Sequence, residues 1–560
     1  MEMTQRAFVL ALLATSISSS LALLYGAKVE AASKPDPANA FHTSDRCVAC
    51  HNGMNTSKGE DVSIGFAWRP SMMANSARDP YWQGSVRRET IDHPESSEEI
   101  QNECSTCHMP MQHLMDRMQD RKTAVLLRLP LKVDSKADAA AADGVSCSVC
   151  HQIKADGLGT PATYVGQVVV AGPEERTRVE YGPYVVDEGH LALMNSSTAG
   201  YKPTQSAHIR ESGICGSCHT LYTTARGAGG KDIGRLPEQM PYLEWLHSDY
   251  RDRQTCQECH MPKVDEQVKI SSLFGVPRDG MRQHTFVGSN FLLESMLNDH
   301  RDELAVTALP DEFADAIRRS KEFLQSQSAR VAVSAPQLSA DELAFDVRVE
   351  NLTGHKLPTA YPSRRVWLHV VVTTANGGTV FESGKLNEDG SIVGNVNDKD
   401  PKQFSPHYAT VTSPNQVEIF ESILGDSEGH VTTGLIAATQ YLKDNRILPT
   451  GFDKQTADHD IAVVGKAFGD AAFVAGSATT AYRVPTRGAS GPFKVEVELV
   501  YQPVGYRWAH NLGTYQAAEP QRFVGYYEKA ASQSALVLTR VEMVVRETSA
   551  SAAGPTNVKK

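Results

Sequence analysis

Two periods divide the chain. From residue 343 apolar and polar positions alternate, with Leu343, Phe345, Val347 and Val349 on one side and Asp346, Arg348 and Glu350 on the other. That is the period of a strand with one face in a core. Val495, Val497 and Leu499 repeat it, and 366–373, 416–422 and 535–545 read as further strands between turn-rich stretches. The pattern predicts an antiparallel β-sandwich over 331–548. Ahead of it, Pro310 and Asp311 open a segment in which Phe313, Ala316, Ile317, Ser320 and Leu324 share one helical face, so 291–330 reads as a helical connector. Residues 32–290 sustain neither period and are expected as short helices and irregular loops with little strand. The fold class is therefore α+β and multidomain, a mostly helical or irregular domain followed by an antiparallel β-sandwich, and 560 residues supply both with a core.

The ends carry different signals. Arg6 leads into an apolar stretch from Ala7 to Leu24, with small residues around Val29, Ala31 and Ala32. Residues 1–31 thus read as a secretory signal, with an uncleaved N-terminal anchor as the alternative. No later apolar run is long enough to cross a bilayer, which places the body in the periplasm or at the cell surface and beyond. Residues 549–560 read as a disordered tail. The formal net charge of −11 repels phosphate backbones and argues against nucleic acid as a partner.

The chemistry is concentrated in the first half. All ten cysteines fall in Cys-x-x-Cys pairs followed at once by histidine: Cys47, Cys50 and His51; Cys104, Cys107 and His108; Cys147, Cys150 and His151; Cys215, Cys218 and His219; Cys256, Cys259 and His260. Two thiols on one short turn reach the two vinyl groups of one porphyrin, and the next residue offers its imidazole to the iron. Disulfides would not require a histidine after every second cysteine. Zinc sites usually bring paired Cys-x-x-Cys units closer together in the chain than these. Five haem c groups are the expected cofactors, with roughly 40 residues for each, too few to wrap them separately. The macrocycles must pack against one another and form the core.

Each iron needs a second axial ligand unless that position is open to substrate. Eight further histidines precede residue 301. His208 lies shortly before the fourth motif, and His284 follows the last one, where no later motif competes for it; both are candidates, with His42, His113 and His93 behind them. His190, His247 and His300 read as surface or supporting residues. Met73 is a candidate sulfur ligand, since methionine raises the potential relative to a second histidine. Met109 and Met261 each follow a motif histidine directly and read as core filling.

These residues resemble a known group, the tetrahaem cytochrome that accepts electrons from hydroxylamine oxidoreductase and its multihaem relatives. The resemblance covers about residues 40–290. It is carried by Trp68 with Ser71, by Gly144-Val145-Ser146 before Cys147, by Tyr181-Gly182-Pro183, by His208 before Cys215, and by Cys259-His260-Met261-Pro262 followed by His284. The family usually has histidine two places after the serine, where this chain has Met73, so either methionine ligates an iron or the position is vacant. Pentahaem nitrite reductases typically replace one motif histidine by lysine, which none of the five motifs here does.

The second half has no cysteine. Its best candidate is His355 in Gly354-His355-Lys356-Leu357-Pro358-Thr359, a loop at a strand end. In some multihaem proteins a similar loop reaches back to an iron; the alternative is a histidine that only bonds its own turn. His369, His407, His430, His459 and His510 read as structural or solvated. The charged segment Tyr441 to Phe452 reads as a solvated turn, or alternatively as a binding loop or cation site.

Three functions are compatible with this pattern. The leading one is an electron carrier between a donor and an acceptor redox protein, with the sandwich docking a partner or another copy of the chain. The second is an oxidoreductase acting on a small nitrogen or sulfur compound at a haem with an open axial position. The third makes the sandwich a binder of glycan, mineral or membrane surface, with the haems as its relay.

Overall fold

The computed structural model describes residues 40–546, apart from 133, 134, 136, 137, 173, 174, 176 and 177. The signal or anchor at 1–31 and the tail at 549–560 lie outside the described residues. No helix among those described is long and apolar enough to cross a membrane.

The alternating segments become strands. Glu342–Asn351 pairs antiparallel with Ser477–Pro485 and with Ala329–Val333. In the second sheet, Arg365–Thr374 lies between Thr379–Ser383 and Phe493–Gln502, and the latter pairs with Leu536–Val545. Leu343, Phe345, Val347 and Val349 of one sheet are buried, as are Leu368, Val370, Val495, Val497 and Leu499 of the other. Phe345 stacks on Tyr482, 5.4 Å between ring centres and 4° from parallel. One pairing is parallel, Thr410–Val411 with Ala481 and Tyr482. The expected strand at 416–422 appears as Ile419–Phe420 and the start of a second strand, Ser422–Asp426, and between them the Glu421 N–H donates to Asn445 Oδ1 (3.0 Å).

Besides the one-turn Val396–Lys399, two helices interrupt the sandwich region, Tyr506–Leu512 and Ala518–Ala530. The second packs on Pro80–Asp92 of the N-terminal half, where Arg87 makes a two-pronged ion pair with Glu519 (2.8 and 2.9 Å). A Cβ on Gly84 would lie 3.3 Å from the Pro520 Cα, so glycine sets this close approach.

The N-terminal half is mainly short helices. Pro80–Asp92 is capped by Asp79, which accepts from the N–H groups of Tyr81 and Trp82. Ser97–His108 carries the second motif, and Cys147–Cys150 and Cys256–His260 the third and fifth. More strand appears here than the sequence implied: a parallel pair, Arg178–Gly182 with Tyr201–Gln205, and antiparallel pairs Leu221–Arg226 with Asp232–Gln239 and Val268–Lys269 with Pro277–Arg278. Helices Phe291–Asp299 and Pro310–Gln327 join the halves, and their apolar faces enter the same core as both large sheets.

Candidate functional site

A single cavity of about 2080 Å³ is bordered by all ten cysteines and all five motif histidines. That is roughly twice the upper end of the range for sites that hold one small molecule, about 1,000 Å³. No disulfide joins any of the ten cysteines. Neighbouring motifs share hydrogen bonds: the Cys147 N–H donates to Ser44 Oγ (3.2 Å) on the helix Ser44–Val48 of the first motif, the Cys256 N–H to Ser212 Oγ (3.1 Å) on the helix Ser212–Gly216 of the fourth, and the Thr224 N–H, on the strand after the fourth, to Glu103 Oε1 (3.2 Å) beside Cys104. The first motif therefore adjoins the third, and the fourth adjoins both the second and the fifth.

The imidazoles are prepared as ligands. Nδ1–H of His51 donates to Ile270 O (2.6 Å), that of His108 to Ser76 O (2.8 Å), that of His151 to Tyr181 O (2.6 Å) and that of His260 to Val287 O (2.7 Å). A carbonyl can only accept, so Nδ1 carries the hydrogen and Nε2 keeps its lone pair. Burial lowers all five pKa values, to about 4 for His108 and His219, and keeps the rings neutral. Trp82 lies flat against His108, 4.4 Å between ring centres and 3° from parallel.

Two further histidines complete pairs. His284 lies 6.4 Å from His151, 21° from parallel, and His355 lies 6.3 Å from His260, 12° from parallel. Two metal–nitrogen bonds of about 2.0 Å, each extended by about 1.1 Å to a ring centre, separate opposed imidazoles by about 6.2 Å. The spacing suits two axial ligands of one iron. His284 Nδ1–H donates to Arg282 O (3.1 Å) and His355 Nδ1–H to Lys356 O (3.0 Å), which leaves Nε2 free in both. Although His284 follows the fifth motif in the chain, its partner is the histidine of the third.

The other candidates differ. His113 lines the cavity, and its Nδ1–H donates to Ser105 Oγ (3.0 Å), whose own hydrogen goes to Asn102 O (2.6 Å); its Nε2 is free. His208 has both nitrogens engaged, Nδ1 with Ser206 Oγ (2.7 Å) and Nε2–H with Ile153 O (2.8 Å). His42 Nε2–H donates to Thr198 O (2.9 Å), and His93 ends the helix Pro80–Asp92; neither is among the cavity-lining residues. Met73 lines the cavity, and its carbonyl accepts from Val145 N (2.9 Å). Gly144 makes this possible: at φ +58°, a Cβ there would lie 2.5 Å from Met73 O. His190, expected as a surface or supporting residue, borders the cavity, tied to Asp187 (2.5 Å) and Phe274 O (2.8 Å). His247 donates to Asp453 O (3.1 Å), and His300 stacks on Tyr526.

The segment Tyr441–Phe452 corrects the expectation of a solvated turn. Lys443, Asp444, Asn445 and Arg446 are buried. Their charges are matched by one another and by Lys356, Glu421 and Glu244, which is why a charged sequence can sit inside the fold. The sequence reading also missed Tyr81, Tyr361, Glu89 and Glu238, which line the cavity. Tyr361 shares a loop with His355, and that proximity was the available signal.

The residues fit haem c. Among the described residues no three or more His, Cys, Asp or Glu side chains converge as a metal cage would require. Haem c asks the protein for an imidazole toward the iron and two cysteine thiols toward the porphyrin vinyl groups, and both kinds of residue border one space.

No family model matches the chain, and no curated protein matches it. Among solved structures, the penta-heme cytochrome c552 from Thermochromatium tepidum aligns at 15% identity with a TM-score of 0.48, covering 90% of this chain and 100% of that one.

Proposed function

We propose that the chain is an exported multihaem c-type cytochrome, in the periplasm or at the cell surface, that carries electrons through five covalently bound haems between redox partner proteins. The observation that carries this reading is that all five Cys-x-x-Cys-His motifs border one continuous cavity. Bound haem would supply one-electron chemistry at each iron. The chain's part is to fix and space the sites. Cysteine pairs would anchor the macrocycles; His51, His108, His151, His219 and His260 would each offer an imidazole to an iron, and His284 and His355 a second imidazole at the third and fifth sites. Hydrogen bonds link the first motif with the third, the fourth with the fifth, and the strand after the fourth with the second. The fourth motif is thus the junction of the conduit. A spectroelectrochemical titration tests this: several overlapping, reversible low-spin haem potentials support it, and a protein without reversible haem transitions refutes it.

One observation favours a second reading, an oxidoreductase acting on a small nitrogen or sulfur compound. The cavity wall carries Tyr81 and Tyr361, hydroxyls 3.4 Å apart, and Glu238, whose carboxyl burial pushes up to about 7. Such groups can deliver protons to a ligand at an open iron. A high-spin signal that shifts with nitrite or hydroxylamine decides for this reading.

A further inference from the structure

His355 comes from the sandwich, yet its ring meets a histidine of the other half. The neighbouring residue shows how it is held. Lys356 is fully buried, and its ammonium contacts Asp444 Oδ2 at 2.7 Å and donates to Ala462 O at 3.1 Å. Asp444 is bidentate to Arg446, at 2.9 and 2.7 Å. Arg446 Nη1 in turn lies 2.9 Å from Glu244 Oε1. Glu244 Oε2 accepts from the Lys356 backbone N–H (3.1 Å) and from Thr359 Oγ1 (2.5 Å). Two cations and two carboxylates form a neutral, closed set, in which Arg446 and Lys356 hold Asp444 at about 2 against the opposing effect of burial.

Glu244 belongs to the short helix Pro241–Leu246, whose Tyr242 N–H donates to the carbonyl of His219 in the fourth motif (3.3 Å). The helix is therefore referenced to the haem-binding wall, and Glu244 grips the loop on both sides of Leu357-Pro358. Bonds within the loop, from Asn351 Nδ2 and Thr353 Oγ1 to His355 O (both 2.8 Å), fix its shape. They do not fix its height above His260. Buried ion sets contribute little net stability compared with apolar packing, and their best-attested use is to specify one arrangement.

We infer that Glu244, through the buried Lys356–Asp444–Arg446 set and Thr359, is a positioning residue that holds His355 at axial distance from the iron of the fifth motif. The inference rests on the reading of His355 as that iron's second ligand. It makes the fifth haem site a product of both halves of the chain, with its ligand strength set by an ion cluster whose residues do not line the cavity.

The test uses the full-length haem-loaded protein and two variants, Glu244→Gln and Thr359→Val, with His355→Ala as control. The readouts are the low-spin and high-spin electron paramagnetic resonance signals, the haem potentials, and the concentration of added imidazole that replaces the internal ligand. His355→Ala is expected to convert one haem to high spin, reversed by imidazole. In Glu244→Gln the same haem is expected to become a spin mixture with a shifted potential while the others stay unchanged. Thr359→Val removes one hydrogen bond to a carboxylate and is expected to lower the competing imidazole concentration about fivefold to tenfold. It stands as the deciding variant if Glu244→Gln does not fold. Unchanged imidazole competition and spin state in Thr359→Val, in a protein where His355→Ala has its effect, overturn the positioning role. No effect of His355→Ala overturns the ligation reading itself.

Discussion

The rings of His260 and His355 stand 6.3 Å apart and 12° from parallel, one from the last Cys-x-x-Cys-His motif and one from the loop that follows the strand Glu342–Asn351. His151 and His284 repeat the relationship at 6.4 Å. Four imidazoles from distant parts of the chain are brought to the spacing of two six-coordinate irons, and each has its Nδ1–H committed to a carbonyl.

If the two pairs serve different irons, their losses add. His284→Ala and His355→Ala should each turn one low-spin haem high-spin, and the double variant should show two. A double variant no different from either single one would place both histidines on the same iron.

In the proposed conduit the fourth motif is the junction, so removing it should do more than lower the haem count. Cys215→Ala with Cys218→Ala is expected to leave four haems by intact mass and to split reduction by a limiting donor into separate fast and slow phases. Single-phase reduction of the remaining haems would show that electrons do not need this site.

The ion cluster also has a stability signature. Lys356→Met leaves Asp444 with Arg446 as its remaining cation and should cost about 3 kcal/mol in denaturant unfolding, because a buried charge loses a partner. A cost near zero would mean that water or a local shift compensates.

His407 gives the sandwich a pH dependence away from the cavity. Burial opposes its charge, but Glu418 (2.7 Å) and Asp470 (2.9 Å) outweigh that and raise its pKa above 6.5. The folded state thus favours the imidazolium, and the associated stability is complete below pH 6.5 and is lost as pH rises through the raised value. The melting temperature of the native protein should fall relative to that of His407→Gln between about pH 6 and pH 9. Parallel curves for the two proteins would contradict the ion-paired assignment.

What the sequence revealed follows from what is local. Thioether attachment requires cysteine, cysteine and histidine within five residues, so the five motifs stand out without a structure. Alternation at 343–349 needs only neighbouring residues and marks the strand directly. Axial pairing is different, because it is set by folding over long separations: His284 lies nearest the fifth motif in sequence and faces the third in space. The segment at 441–452 was misread for a similar reason. Its charges pointed to water, whereas in the fold they meet Lys356 and Glu244 from elsewhere in the chain. The helix Ala518–Ala530 was missed although Pro520, Phe523, Tyr526 and Tyr527, buried at helical spacing, offered a signal, and Tyr506–Leu512 is too short to show a period.

Everything proposed depends on porphyrin bound through the ten cysteine sulfurs. Intact mass spectrometry of the purified, denatured protein, read together with its visible spectrum, addresses this most directly. The expected result is a chain heavier by five haems, with an intense Soret band that survives denaturation because the links are covalent. A chain at its unmodified polypeptide mass, without a Soret band and with its cysteines as thiols or disulfides, would contradict the account.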